Sequence, residues 1–271
     1  MMLLNGEVSH NASLNDRGLL YGDGVWETLV VRHGQAQLLA WHLERLYKGL
    51  ASLAFQFNEQ ALLATEIQRI CQGIEAGVLK IIITRGQGQR GYAIPSRATS
   101  TYTRLLQITA LPTYPSAYAE QGISLQLCQT RLAYQPLLAG FKHLNRLEQV
   151  LARSELNQDS QEGLVLDYNQ AVIEGTISNI FVLQANGRWA TPDLSACGIA
   201  GIMRRYLLQY FVEQAIECEI KTLQLSDIQQ AQALFFCNSL IGIWPVQRFN
   251  TNIYNIPPIV KQLQQIVKYV T

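Results

Sequence analysis

Apolar and polar positions along the chain change period several times, and each change predicts an element. Val25-Trp26-Glu27-Thr28-Leu29-Val30-Val31 lies between the turn signals Gly22-Asp23-Gly24 and His33-Gly34 and reads as a strand. Leu43, Leu46, Tyr47, Leu50, Leu53 and Ala54 then recur at helical spacing, with Glu44, Arg45 and Lys48 off that stripe. A second helix is expected from Glu59 to Ile74, and strands from Val78 to Arg85, Arg104 to Ala110 and Ile123 to Cys128. Leu144, Leu147, Val150 and Leu151 give another helical stripe, which begins just after Lys142. Two hairpins follow: Leu164–Leu166 with Ala171–Ile173 around Asp167-Tyr168-Asn169-Gln170, and Ile180–Leu183 with Arg188–Ala190 around Ala185-Asn186-Gly187. A helix opens near Gly201 and runs through Arg204, Leu207, Leu208, Phe211 and Val212. A strand from Ala233 to Cys237 and a helix from Pro258 to Val270 complete the pattern.

This order gives an α+β protein. Leu111-Pro112-Thr113-Tyr114-Pro115-Ser116-Ala117 sets two prolines between structured segments and marks a boundary. The expected division is a small N-terminal α/β domain over 1–112, a linker over 113–119 and a larger C-terminal domain over 120–271 that carries Lys142. No internal repeat or low-complexity segment is visible.

Composition narrows the function. With 271 residues, 48% of them hydrophobic and 15% charged, the chain can build full cores and resembles neither a disordered tail nor a disulfide scaffold. The net charge of +1 argues against a nucleic-acid binder. From Val78 to Ala119 there is no acid, while Lys80, Arg85, Arg90, Arg97 and Arg104 all occur. That stretch reads either as a solvated basic face or as a wall that attracts a small anion. The five scattered cysteines point to reduced thiols, and the four histidines lack metal-ligand spacing, so no metal is expected. The opening Met-Met-Leu-Leu-Asn-Gly-Glu has no basic leader region, and no apolar run approaches the roughly 18 residues that span a bilayer. A cytoplasmic location is therefore expected, with no membrane partner.

Gly86-Gln87-Gly88-Gln89-Arg90-Gly91 satisfies the dinucleotide-binding pattern G-x-G-x-x-G. That reading needs a helix directly afterwards and an acid about 20 residues on, and neither is present. The glycines instead suggest a mobile loop, with Arg85 and Arg90 available to hold a carboxylate bidentately. Taken singly, Lys142, Glu174 and Arg45 read as solvated or salt-bridged side chains.

Taken together, they resemble one family, the fold-type-IV pyridoxal-phosphate enzymes. This group includes branched-chain aminotransferases, D-amino-acid aminotransferases and 4-amino-4-deoxychorismate lyases. The resemblance runs from Asn15-Asp16-Arg17-Gly18 and Tyr21-Gly22-Asp23-Gly24 through the Lys142 segment and Glu174-Gly175-Thr176-Ile177-Ser178-Asn179-Ile180-Phe181. It continues through Gly198-Ile199-Ala200-Gly201-Ile202-Met203-Arg204 to Phe236-Cys237-Asn238-Ser239. It implies a two-domain fold like that of D-amino-acid aminotransferase and pyridoxal 5′-phosphate as cofactor. It also implies a homodimer with active sites near the subunit interface. By this resemblance Lys142 attaches the cofactor covalently and then carries protons. Glu174 faces the pyridine nitrogen and keeps it protonated. Arg45, the backbone N–H groups of Ile202 and Met203, and Asn238 and Ser239 hold the phosphate. Asn179 and Asn145 line the pocket, and the roles of Glu27 and Thr28 are unassigned.

Arg85-Gly86-Gln87-Gly88-Gln89-Arg90-Gly91-Tyr92 and Leu138 to Gln149 resemble the lyase branch in particular. That likeness implies a small anionic substrate, an amino-substituted chorismate, split into 4-aminobenzoate and pyruvate. Arg85, Arg90, Tyr92 and Asn145 would contact it. An aminotransferase for D-amino or branched-chain amino acids and a non-catalytic cofactor-binding protein are the alternatives. The presence of both Lys142 and Glu174 speaks against the second of these.

Overall fold

The structure is a computed structural model that describes residues 1–88, 90–96 and 101–271. Gln89 of the glycine-rich loop and Arg97 of the acid-free stretch lie outside the described residues. The chain forms two compact units, Met1–Pro112 with Phe141–Asn145, and Thr113–Gly140 with Arg146–Thr271.

The first unit is built on strands β1 (Met2–Leu4), β2 (Glu7–Val8), β3 (Gly24–Arg32), β4 (Gln35–Ala36), β5 (Ala76–Thr84) and β6 (Thr103–Thr109). They pair antiparallel in the order β2-β1-β6-β5-β3-β4. Helices α1 (Arg17–Tyr21), α2 (Leu39–Ser52) and α3 (Gln60–Cys71) complete the unit. Side chains alternate across a strand, so β3 presents Val25, Glu27, Leu29 and Val31 to one side, where all are buried. Glu27 there meets His42 and Arg45 of α2. Trp26 and Thr28 point to the other side and stay partly exposed, opposite Ile82 and Lys80 of β5 in the register. Lys80, Ile82, Leu105 and Gln107 are likewise half-buried and continue that second face across β5 and β6.

Phe141–Asn145 belongs to this first unit, whereas the boundary expected from the prolines put Lys142 in the C-terminal domain. The cause is local. β4 pairs with β3 only at Val31 and Arg32, so the rest of that edge of β3 is open to another strand. The Lys142 segment takes the place: Trp26 N–H donates to Lys142 O and Leu144 N–H to Gly24 O, at 2.8 and 3.0 Å. Phe141 is buried against α2 at Gly49, where a Cβ would come within 2.8 Å of its ring.

The second unit holds β7 (Ile123–Leu132), β8 (Glu162–Asp167), β9 (Val172–Gly175), β10 (Asn179–Leu183), β11 (Trp189–Pro192), β12 (Cys218–Lys221), β13 (Ala233–Asn238), β14 (Gly242–Phe249) and β15 (Asn252–Ile253). The strand order is β12-β11-β10-β13-β14-β7-β8-β9, with β15 beside β14. Val172 N–H donates to Leu223 O just past β12, which joins the two ends of the sheet. Leu164, Leu166, Ile180, Val182, Leu234, Phe236, Trp244 and Val246 fill the inside. The alternate residues Phe181, Phe235 and Cys237 face outward and pack with α6 (Ile202–Glu213) and α8 (Pro258–Val267); α4 (Ala117–Glu120), α5 (Leu147–Ser154) and α7 (Leu225–Gln229) also belong to this unit. Both faces of these strands are therefore buried, which explains their near-continuous apolar runs. The segment expected as a linker packs here, with the Tyr114 and Tyr118 rings set edge-on to Trp244 at 4.9 and 5.2 Å. No helix among the described residues is long and apolar enough to cross a membrane.

Candidate active site

In the first unit the site is organised around Lys142. Its backbone is fixed to the edge of β3, and its Nζ lies 3.8 Å from the centroid of the Trp26 ring. The Lys80 Nζ lies 5.0 Å from the same ring. An aromatic face attracts ammonium groups through its quadrupole, so Trp26 gathers two cations onto one patch of sheet.

Behind Lys142, on the helix side of β3, lies a buried ionic network. The Glu27 carboxylate is fully buried and accepts Arg45 Nε at 2.7 Å and Arg45 Nη2 at 2.6 Å in a two-pronged pair. His42 Nδ1 stands 2.6 Å from Glu27 Oε2, the same oxygen that accepts Arg45 Nη2. Burial alone would raise the Glu27 carboxyl, but Arg45 and His42 outweigh it and hold it at about 2. Burial pushes His42 down from its ordinary value, and nearby Arg45 and Lys142 push the same way against the pull of Glu27. A neutral His42 then donates its Nδ1–H to Glu27. Sequence reading left Glu27 unassigned. The signal was available: an acid at an inward-facing position of an apolar strand requires a buried partner.

The arginines of the acid-free stretch behave differently from expectation. Arg85 is buried and bound within its own unit: Nε to Asp23 Oδ2 at 2.8 Å, Nη2 to Leu53 O at 2.5 Å, and the guanidinium 4.0 Å above the Phe55 ring. It is not an available carboxylate clamp. Arg104 is likewise buried and held by Glu66 and Glu59. The stretch lacks acids because acids from elsewhere in the fold supply its counter-charges. Arg90 is exposed, and Tyr92 is exposed beside Tyr21. The loop they occupy is not a free flap. Arg17, itself paired with Asp23, donates Nη1 to Gly91 O and Nη2 to Tyr92 O. No helix follows the glycines at 90–96, as the rejection of a dinucleotide site requires. The Asn145 side chain donates to Gly22 O at 3.3 Å and ties the Lys142 segment to the turn before β3.

In the second unit Glu174 lies buried on β9. Its Oε2 accepts Ile199 N–H at 2.8 Å, and Oε1 stands 3.4 Å from Gln149 Nε2. The turn that follows it is held by Glu162, which is fully buried. Glu162 accepts the N–H groups of Gly163 and Thr176, the Thr176 hydroxyl, and the Ser178 hydroxyl at 2.6 Å. Asn179 was expected against the cofactor, but both ends of its amide are committed to the backbone leading into α6. Its Nδ2 donates to Ile199 O at 2.8 Å and its Oδ1 accepts Gly201 N–H at 3.0 Å. Asn179 thus positions the helix start. Gly201 ends that approach with no side-chain cap, and a Cβ there would sit 2.0 Å from Asn179 Oδ1. The first-turn N–H groups of Ile202 and Met203 have no acceptor within the helix, as at any helix start. Asn238 is also spent on structure, donating to Ile177 O and accepting Leu240 and Ile241 N–H. Its side chain shapes the β13–β14 turn on which Ser239 sits.

Each unit carries groups whose chemistry suits a pyridoxal phosphate. In the first unit a lysine is presented on an aromatic face, and in the second a buried carboxylate supplies the acceptor chemistry that a protonated ring nitrogen needs. A helix N-terminus whose capping residue cannot carry a side chain offers donors and dipole to a phosphate.

Comparison with known proteins agrees. Residues 24–249 match the class IV amino-transferase family model. The chain superposes on 4-amino-4-deoxychorismate lyase from Pseudomonas aeruginosa with TM-score 0.95 and 40% identity, covering 99% of this chain and 98% of that one. It is 34% identical to aminodeoxychorismate lyase from Vibrio harveyi over 91% of this chain and 90% of that one. It is 30% identical, over 98% and 92%, to a Methanocaldococcus jannaschii protein assigned as a branched-chain-amino-acid aminotransferase. The chain belongs to the class IV aminotransferase family.

Proposed function

We propose that this protein is a pyridoxal-phosphate-dependent lyase that converts 4-amino-4-deoxychorismate to 4-aminobenzoate and pyruvate. The observation that carries this reading is the 40% identity to the Pseudomonas aeruginosa lyase over nearly the whole of both chains. Relatives named as aminotransferases reach 30% and 27%.

In this reading Lys142 is the attachment point and afterwards the base. It removes the proton at the substrate carbon bearing the amine. The neighbouring carbon–oxygen bond breaks, the enolpyruvyl group departs as the enolate of pyruvate and takes up a proton to become pyruvate, and the ring becomes aromatic. The bound cofactor supplies an electron sink for the charge left by the proton. Glu174 keeps a proton on the ring nitrogen, which that sink requires. Arg45, its plane fixed by Glu27, and the N–H groups of Ile202 and Met203 hold the phosphate, with Ser239 nearby. Aromatisation favours the elimination, so the residues act mainly by orientation and proton transfer.

The test is direct. Purified protein is expected to be yellow, and borohydride reduction is expected to fix the cofactor mass on the peptide containing Lys142. 4-Amino-4-deoxychorismate is expected to yield pyruvate without any keto-acid acceptor. Turnover that appears only with D-alanine or a branched-chain amino acid plus 2-oxoglutarate would replace this reading with an aminotransferase. Lys142→Ala is expected to abolish turnover, and Glu174→Ala to slow it.

The lyase reading also includes a homodimer. α5 leaves Leu147, Val150 and Leu151 more than half exposed, at 76%, 60% and 57%. Three large apolar side chains on one short helix suit burial by a second copy.

A further inference from the structure

The large apolar residues of α5 are its exposed ones, and the side it lays against its own unit carries Gln149, Ala152 and Arg153. Residues three and four apart share a helix face, so these three look the same way. Ala152 is fully buried, and Arg153 reaches Gln161 O at 2.9 Å and the Thr176 hydroxyl at 3.3 Å. Gln149, one turn earlier, donates its Nε2 to Glu174 Oε1 at 3.4 Å. Glu174 needs no strut there, because β9 is paired with β8 and Glu174 Oε2 already accepts Ile199 N–H at 2.8 Å. The other end of the amide decides the reading. Gln149 Oε1 is buried with no hydrogen-bond partner. Buried acceptors are nearly always paired, so an orphan one marks a constraint imposed by a neighbour. Turned over, the amide would set Oε1 against Glu174, where a carboxyl proton would satisfy it and a carboxylate, which only accepts, would repel it. The amide instead spends its N–H on Glu174 and leaves its own oxygen unmet. That is the arrangement an ionised Glu174 selects, and a hydrogen bond to the charged form in turn favours that form.

We propose that Gln149 is a positioning residue for Glu174: its amide N–H holds that side chain as an oriented carboxylate, so that the proton rests on the ring nitrogen of bound pyridoxal phosphate and not on Glu174. An apolar residue at 149 would bury more surface and leave no orphan oxygen, but it would give Glu174 no donor. This rests on the proposed reading of Glu174 as the partner of the ring nitrogen.

The experiment uses the cofactor-loaded enzyme, with the pyridoxal phosphate isotopically labelled at its ring nitrogen, as wild type, Gln149→Met, Gln149→Lys and Glu174→Gln, and with Gln149→Met added to Glu174→Gln. Nitrogen NMR reads the proton on the ring directly. In Gln149→Met the ring-nitrogen resonance is expected to move from the protonated toward the unprotonated position, and kcat to fall about 10-fold with KM little changed, the scale of one hydrogen bond to a charged group. Gln149→Lys restores an N–H donor and is expected to keep the wild-type resonance. In the Glu174→Gln background, Gln149→Met is expected to move the resonance no further, since the effect passes through Glu174. A resonance that stays in place in Gln149→Met, or one displaced in Gln149→Lys, would overturn the proposal. So would an equal kcat loss from Gln149→Met in the Glu174→Gln background, which marks a structural strut. Failure of the underlying readings is seen separately: Glu174→Gln would leave the wild-type resonance unmoved, or the wild-type enzyme would release no pyruvate.

Discussion

Glu27 carries a charge where the period of β3 asks for an apolar side chain, and the cost of burying it is met by Arg45 and His42. Its folded value of about 2 lies below the unfolded carboxylate value of 4.5, so the carboxylate form is favoured by folding. That stabilisation is fully present above the unfolded value and is lost as pH falls toward the folded one. The shift corresponds to about 3 kcal/mol at neutral pH, with more than half gone at pH 3. Urea unfolding of the wild type and Glu27→Gln is the measurement: the gap between them is expected to be about 3 kcal/mol or more at pH 7 and to narrow markedly at pH 3. A gap independent of pH would mean the carboxylate charge is not what matters. The same substitution loosens the plane of Arg45, so pyridoxal-phosphate affinity is expected to fall as well, read by titration of the visible band. The cysteines carry no comparable chemistry. All five are free, and burial pushes Cys71 up to about 11 and Cys128, Cys197 and Cys218 up to about 12.

At the scale of elements, two devices hold the second-unit residues in place. Glu162 gathers the turn between β9 and β10, and Asn179 gathers the approach to α6. Glu162→Ala leaves two N–H groups and two hydroxyls without their acceptor, at about 1–3 kcal/mol for each donor left unsatisfied. A loss of at least about 3 kcal/mol in unfolding free energy is expected on that scale. Gly201→Ala acts more locally. Its methyl group must displace the Asn179 amide, so the start of α6 shifts and phosphate affinity is expected to drop about 10-fold or more, the weight of one lost charge-assisted bond. Calorimetry of inorganic phosphate or cofactor binding reads this independently of turnover. Strand β14 was not legible beforehand, because Pro245 sits in its middle and proline argues against a central strand. The sheet tolerates it: Pro245 still faces Phe235 in the register with β13, between residues buried on both sides. The stripe on α5 was legible as helical and apolar, but not which way it faces: Leu147, Val150 and Leu151 are exposed.

At the scale of the molecule, the α5 stripe gives the last prediction. Light scattering of the purified chain is expected to give twice the 30.4 kDa protomer mass, and a Leu147→Glu, Leu151→Glu double variant to give one. A monomeric wild type would remove the dimer from the proposed function. The sequence by itself determined the α+β class, most of the strands and helices and the family, and it singled out Lys142 and Glu174 as the chemical pair of the proposed function. Those features are written locally, in hydrophobic period, turn residues and short motifs, so they survive reading one segment at a time. Only the tertiary structure decided which charges are spent. Arg85 and Arg104 are neutralised by Asp23, Glu59 and Glu66, residues far from them in the chain. Asn179 and Asn238 are consumed by backbone, and the Lys142 segment joins the first unit because the edge of β3 is open to it. Pairing of a charge or a sheet edge depends on what folding brings alongside, and no periodicity within a segment encodes that.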